Sequence, residues 1–305
     1  MSVPAFDKLY DEFEKAHLQR LDQAKLTRRT KTERQRAVGA GRRYCYDLRD
    51  RLLMTLFWLR VYTTYEVLGF FYDLDKTNVE DNVKDVLATL DTMTRFTFER
   101  PRREGGKLRS PQAVMTAFPD VRLVIDAKEQ RIQRPKNTKD DQGNTCDNQK
   151  PYYSGKKKTH TLKNQVAVGP DGLIEAVSDS VPGGATHDLT LLRQTELLDQ
   201  LNSDEAAMLD KGYVGIAKDY PDSRLYLPFK ARRNHPLTDD QKAFNRFLAR
   251  HRIVVEHALA QMNRFLVLVQ VFRHRRTYHG RIVRIVAGLV NRRTQVMPLK
   301  TYAPA

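Results

Sequence analysis

Cysteine is almost missing from this chain. Cys45 and Cys146 are the only two among 305 residues, and they lie far apart with no Cys-x-x-Cys pair. That argues against a zinc finger or ribbon and against a disulfide framework, and it suits a reducing compartment. Long apolar runs are missing as well. The longest strongly apolar stretch, LLMTLFWL from Leu52 to Leu59, is too short to span a bilayer. The first residues, MSVPAFDKLYDEFEK, are acidic and amphipathic, which does not suit a secretory signal. A soluble, cytoplasmic protein with no membrane partner is expected. Neither an internal repeat nor a low-complexity tract is present. Acidic residues are the third shortage: 37 Asp and Glu stand against 53 Lys and Arg, a formal net charge of +16. An excess of this size points to a polyanionic partner, most commonly nucleic acid. It supplies affinity through phosphate contacts and counterion release, and it carries no sequence preference of its own.

What is present falls into blocks. Residues 1–45 combine an amphipathic helix, with Phe6, Leu9, Tyr10, Phe13, Leu18 and Leu21 at helical spacing, and a basic arm. The arm carries Lys25, Arg28, Arg29, Lys31, Arg34, Arg36, Arg42 and Arg43 against one acid, Glu33. It reads either as a solvated linker or as an arm that orders on DNA. Residues 46–95 read as helix, tight turn, helix. Tyr46 to Tyr62 forms one helix, Thr64 caps a short one through Phe71, Asp73 to Lys76 turns, and Thr77 or Asn78 starts the next. Three helices in this pattern make a helix-turn-helix domain, or a plain bundle. Glu80, Asp81 and Asp85 beside Lys84 give the last helix an acidic face. Residues 96–118, with a Gly105-Gly106 pair, read as a linker, and 297–305 as a tail.

Residues 119–296 read as a mixed α/β domain. Strands are predicted at Val121 to Asp126, His160 to Val168, Leu173 to Ser180, Ala206 to Leu209 and Arg224 to Phe229. Gly169-Pro170-Asp171-Gly172 joins the second to the third as a hairpin. Helices are predicted over Asp188 to Leu201, Asp239 to Leu268 and Tyr278 to Thr294. This order matches a ribonuclease-H-like sheet. The fold class is therefore α/β: a ribonuclease-H-like catalytic domain behind an N-terminal all-α helix-turn-helix domain.

Two short apolar runs, in LVIDAKE and AAMLDKGY, each stop on an aspartate. If their strands lie side by side, Asp126 and Asp210 meet at one end of the sheet. Two carboxylates at close range repel unless a cation fills the gap, and magnesium takes such hard oxygen ligands. Glu256, in the core-like stretch HRIVVEHALAQMNRF, is the best third acid and is expected to face the sheet. Competing readings are a turn former for Asp126 or Asp210 and an ordinary helix acid for Glu256. Asp188 is read as a cap for the helix it begins, and Glu129 as a residue that orients a ligand or pairs with a lysine. Lys156, Lys157, Lys158 and Lys163 form either a solvated loop and strand edge or a phosphate track.

The stretches LVIDAKEQRIQRP, YYSGKKKTHTLKNQVAVGPDGLI, VPGGATHDLTLL, AAMLDKGYVG, LPFKARRN, RHRIVVEHALAQMNRF and IVAGLVNRRT, in this order, resemble the insertion-sequence transposases of the IS-five family. These carry a DDE superfamily endonuclease domain related to Harbinger-type transposases. DRLLMTLFWLRVYTTYEVLGFFYDL resembles that family's helix-turn-helix. The resemblance implies a catalytic and metal-binding triad of Asp126, Asp210 and Glu256 and a pair of Mg2+ ions, replaceable by Mn2+. Asp126 would bridge both ions, Asp210 hold one and Glu256 the other. It implies double-stranded DNA as partner, both transposon ends and target, and a homodimer or higher oligomer associated with the nucleoid. Arg252 matches a family arginine four residues before the glutamate. The family's lysine seven residues after it is replaced here by Asn263, with Arg264 next to it as the possible substitute on DNA. Rival functions are a helix-turn-helix regulator with an inert ribonuclease-H-like part, and a metal-dependent nuclease that cuts without joining.

Overall fold

A computed structural model of the chain describes residues 2–28, 44–93, 119–139 and 141–296; of residues 24–28, 295 and 296 it describes the backbone only. The side chains of Lys25 and Arg28 therefore lie outside the described residues. So do Arg29, Lys31, Arg34, Arg36, Arg42 and Arg43, the linker 96–118 and the tail 297–305. By its contacts the chain divides into two compact units, Met1–Arg95 with Phe265–Val267, and Phe96–Arg264 with Leu268–Ala305.

Among the described residues the first unit contains four α-helices: α1 (Val3–Arg28), α2 (Leu48–Val61), α3 (Tyr65–Tyr72) and α4 (Lys76–Met93). Local chemistry sets their ends. Asp47 caps α2 by accepting from the Asp50 N–H at 2.8 Å, and Thr64 caps α3 by accepting from the Val67 N–H at 3.3 Å. Tyr62 and Asp73 close α2 and α3 in the left-handed region, with φ of 55° and 46°. Asp75 accepts from the Thr77 N–H at 3.0 Å, so α4 begins at Lys76, a residue before the predicted start. Leu9, Phe13, Trp58, Leu59, Leu68, Val83, Val86 and Leu90 are buried. A polar network lies among them. Arg20 and Arg51 both ion-pair with Asp85, and the Arg51 Nε donates to Asn82 at 2.7 Å. Asp85 is therefore turned inward and neutralised rather than displayed on an acidic face, while Glu80 pairs with Lys84 one turn away at 2.7 Å.

The second unit is mixed α/β. Its strands are β1 (Val121–Arg131), β2 (Thr138–Lys139), β3 (Thr145–Cys146), β4 (Tyr153–Ser154), β5 (Thr159–Val168), β6 (Ile174–Val177), β7 (Val181–Pro182), β8 (Ala206–Met208) and β9 (Arg224–Tyr226). Its helices are α5 (Asp188–Thr195), α6 (Asp239–His251), α7 (Ile253–Met262) and α8 (His279–Val296). In the main sheet β1 lies between β5, antiparallel, and β8, parallel; β9 extends beyond β8, and β6, β7 and β4 share the far edge of β5. This order is compatible with a ribonuclease-H-like domain. Alternation along β1 sends Leu123 and Ile125 to one face, where Ala167, Leu192, Leu197, Leu198, Ala207, Tyr213 and Ile216 complete a core. On the other side α7 packs against β1 and β5, and α8 against β6.

Three predicted elements differ. β1 does not end at Asp126 but continues to Arg131, because β5 keeps pairing with it residue for residue. The helix from Asp188 stops at Thr195, where Glu196 takes a φ of 51°. The long helix divides at Arg252 into α6 and α7.

His279 starts α8 and is 1 % exposed. Its Nδ1 meets the Ser180 hydroxyl at 2.6 Å and its Nε2 meets the Gln130 side-chain oxygen at 2.9 Å. Burial, with the nearby Lys128 charge, lowers its pKa to about 4 from the ordinary 6.5. Between these values the unfolded chain binds a proton that the folded chain refuses, so stability is full above 6.5 and falls as the pH drops toward 4. The loss is about 3 kcal/mol over that window. Urea unfolding of the wild type and His279→Gln at neutral and mildly acidic pH should show a flatter pH dependence for the variant. Parallel curves would contradict the assignment.

Candidate active site

The parallel register of β1 and β8 aligns Leu123 with Ala207 and Val124 with Met208. Asp126 and Asp210 each lie two residues past Val124 and Met208. The two carboxylates therefore emerge from neighbouring strands at the same end of the sheet. β8 stops at Met208, which leaves the edge of β1 beside Asp126 unpaired on that side. Asp126 is thus a mid-strand residue at the point where its parallel neighbour gives out, a different answer from the strand-end position that the sequence suggested.

A cation already sits between them. Arg252 is the residue at which α6 ends and α7 begins, and it is only 9 % exposed. One guanidinium nitrogen lies 3.0 Å from Asp210 Oδ1 and the other terminal nitrogen 3.7 Å from Asp126 Oδ2, while its Nε has no hydrogen bond. Asp126 also accepts from the Ala127 N–H at 2.8 Å. Burial pushes the Asp126 carboxyl above the usual aspartate range; the Ala127 N–H and Arg252 pull it back, and the charges of Asp210 and Asp188 push it further up. Arg252, expected on DNA, is instead buried against the two carboxylates.

Asp188 belongs to the same neighbourhood. It is not the cap of α5: that place is His187, which makes no side-chain cap bond. Its carboxylate accepts from Lys163 Nζ at 2.8 Å, and the turn after Asp210 passes so close that a Cβ on Gly212 would lie 3.1 Å from Asp188 Oδ2. Lys163 is buried at 6 % exposure, bonds the Thr186 carbonyl as well, and lies 3.5 Å from Glu129. It braces acids inside the unit and does not sit on an open phosphate track. Glu129 pairs with it, one of the two roles expected. Lys156, Lys157 and Lys158 are exposed in the turn between β4 and β5.

Glu256 is exposed on α7, one turn past Arg252, not facing the sheet core as expected. It makes no hydrogen bond or ion pair among the described residues. Arg252, Glu256 and Asn263 fall on one stripe of that helix by their spacing. At the far end of the stripe Asn263 Oδ1 accepts from Lys128 Nζ. Arg264, beside it, is exposed. Burial, and then the charge of Lys157, lowers the Lys128 ammonium pKa to about 8.

A family model described as DDE superfamily endonuclease matches residues 125–291, more than half of the chain. The chain belongs to the DDE superfamily endonucleases. A protein of Microchaete diplosiphon described as "Probable transposase for insertion sequence element IS702" is 28% identical over 261 residues, 86% of either chain. No solved structure matches the chain. The matched span of this DDE endonuclease starts one residue before Asp126 and contains Asp210 and Glu256.

As a donor set, Asp126 and Asp210 fit a hard divalent cation: two carboxylates, part-shielded, that hold a guanidinium where a metal would sit. The fit stops at two. No group of three or more His, Cys, Asp or Glu side chains able to hold a metal occurs among the described residues, so Glu256 does not join the pair here.

Arg252→Gln leaves the two aspartates without their shared counterion. Because the Asp126 and Asp210 side chains are 28% and 47% exposed, screening limits the loss to about 1–2 kcal/mol. In chelator the variant should melt below the wild type, and added Mg2+ should restore more stability to it than the wild type gains. Equal responses to Mg2+ would contradict the counterion role.

Proposed function

We propose that this DDE endonuclease is the transposase of an insertion sequence. It binds the element's terminal inverted repeats, cleaves DNA at their ends with Mg2+ (or Mn2+), and joins the freed 3′-hydroxyl to target DNA. The observation that carries the reading is the pair Asp126, on β1, and Asp210, two residues past the end of its parallel neighbour β8, with Arg252 held between them. The family match and the similarity to a protein described as a transposase support it.

Asp126 and Asp210 would hold the metal, with Glu256 turning in from α7 as the third donor. When bound, such ions polarise the scissile phosphate and lower the pKa of the attacking water. The chain's own residues do the rest. Arg252 keeps the carboxylates together while no metal is bound. Lys163 neutralises Asp188 and Glu129 behind them, so that their charge does not accumulate beside Asp126. The exposed Lys156, Lys157, Lys158 and Arg264 receive the DNA backbone, with the basic arm adding phosphate contacts. Helices α2 to α4 act as the helix-turn-helix that reads the ends. Holding two ends at once calls for a homodimer or higher oligomer. The nucleoid is the place of action, and no described helix is long and apolar enough to cross a membrane.

Asp126→Asn and Asp210→Asn should each reduce Mg2+-dependent cleavage of terminal-repeat DNA by more than about a hundredfold, with DNA binding in Ca2+ nearly unchanged. Glu256→Gln should match them; if Asp188→Asn does so and Glu256→Gln does not, the third donor is Asp188. Cleavage that survives both Asp126→Asn and Asp210→Asn would overturn the site. Supercoiled target DNA separates transposition from simple cutting: joined products support the proposal, and nicks alone contradict it.

A further inference from the structure

Lys128 is a cation without an acid. It lies two residues after Asp126 on β1, and the unbroken pairing of Asp126 with Val166 and Lys128 with Asn164 puts both side chains on the same face of the sheet. It is half-buried. Among the described residues its hydrogen bond goes to the neutral Asn263 side chain, and no carboxylate lies within ion-pair distance. Lys157 stands close enough to act on it, and the neighbouring His279 is held neutral by burial. This differs from four of the acids nearby, which do have counterions: Asp126 and Asp210 have Arg252, and Asp188 and Glu129 have Lys163. A charge kept partly out of water without a partner is costly, and the usual reason to keep one is an anion that arrives later.

We propose that Lys128, oriented by Asn263, forms a phosphate-binding site for the DNA strand next to the Asp126–Asp210 pair. The proposal rests on the DNA-cleaving role given above and adds a residue to it. Because the Asn263 side chain meets the Lys128 ammonium, a positive charge carried by either residue would stand at nearly the same place. α7 then spans the site with Arg252 over the carboxylates at one end and Asn263 over the phosphate contact at the other. A strand lying along this stripe meets Lys128 on one side of the scissile position. Lys128 is a positioning residue: it fixes where the backbone rests.

The test measures binding of a fluorescent terminal-repeat duplex, with Ca2+ in place of Mg2+, across a range of KCl concentrations. Wild type, Lys128→Gln, Lys128→Arg and the double variant Lys128→Gln with Asn263→Lys are compared. Lys128→Gln should lower the slope of log affinity against log salt by about one and weaken binding about fivefold near physiological salt. Lys128→Arg should keep the slope, and the double variant should regain it. A neutral methylphosphonate placed at successive positions should weaken the wild type at one phosphate near the cut and leave Lys128→Gln indifferent there. The thermal midpoint of Lys128→Gln should be unchanged or higher, since an unpaired charge is removed. A wild-type slope in Lys128→Gln overturns the phosphate site while leaving the DNA reading intact. So does a fall in slope that the double variant does not reverse and that comes with a lowered midpoint, because Lys128 is then structural. If the wild type itself shows no salt-dependent binding to the duplex, the DNA reading and the phosphate site fall together.

Discussion

Two carboxylates brought side by side by parallel strands cannot both stay ionised without a positive charge between them. That constraint organises the second unit. Asp126 and Asp210 are forced together by the β1–β8 register, and Arg252 answers the repulsion. The break between α6 and α7 falls at Arg252 itself, the residue whose guanidinium reaches the two carboxylates. Beside this centre Asp188 and Glu129 are neutralised by Lys163, while Glu256 stays exposed on α7. At Lys128 a half-buried ammonium has no acid partner among the described residues. The unit thus sets the carboxylate of Asp126 and the ammonium of Lys128 two residues apart on one face of β1, with Asp210 joining Asp126 from beyond β8. A metal-dependent phosphoryl-transfer site needs both.

The core order of strands is legible in the sequence because each core strand holds a short, largely apolar run followed by Gly, Pro or Asp. Asp126 and Asp210 are legible because each follows such a run. The rest of β1 is not. Ala127 to Arg131 is polar in sequence and looks like a loop, yet it stays a strand because its polar atoms are satisfied from above. Lys128 bonds Asn263, Glu129 lies near Lys163, and Gln130 bonds the Gln270 carbonyl and His279. Tertiary partners of this kind leave no periodic trace. The break at Arg252 carries no Gly or Pro signal, so Arg252 reads as a surface arginine rather than a counterion. Asp188 follows the sequence rule for a helix cap, but the close approach of the Gly212 turn and the reach of Lys163 give its carboxylate other work.

In the first unit the same lesson applies on a smaller scale. The helix starts at Asp47 and Thr64 are local and readable, because a cap needs only a side-chain oxygen and an N–H three residues on. The direction of Asp85 is not local. It depends on Arg20, 65 residues away, and Arg51, 34 residues away. An acid that counts against nucleic-acid contact in the sequence is in the fold a half-buried tie among three helices.

The central claim is that Asp126 and Asp210 form one cation-binding centre. Iron-directed cleavage tests it most directly. With Fe2+ in place of Mg2+, ascorbate and peroxide generate radicals that cut the chain only beside the bound ion. The account predicts paired cuts next to Asp126 and Asp210, suppressed together by excess Mg2+ and absent in Asp126→Asn. Cuts at other sites, or cuts beside only one of the two aspartates, would contradict it.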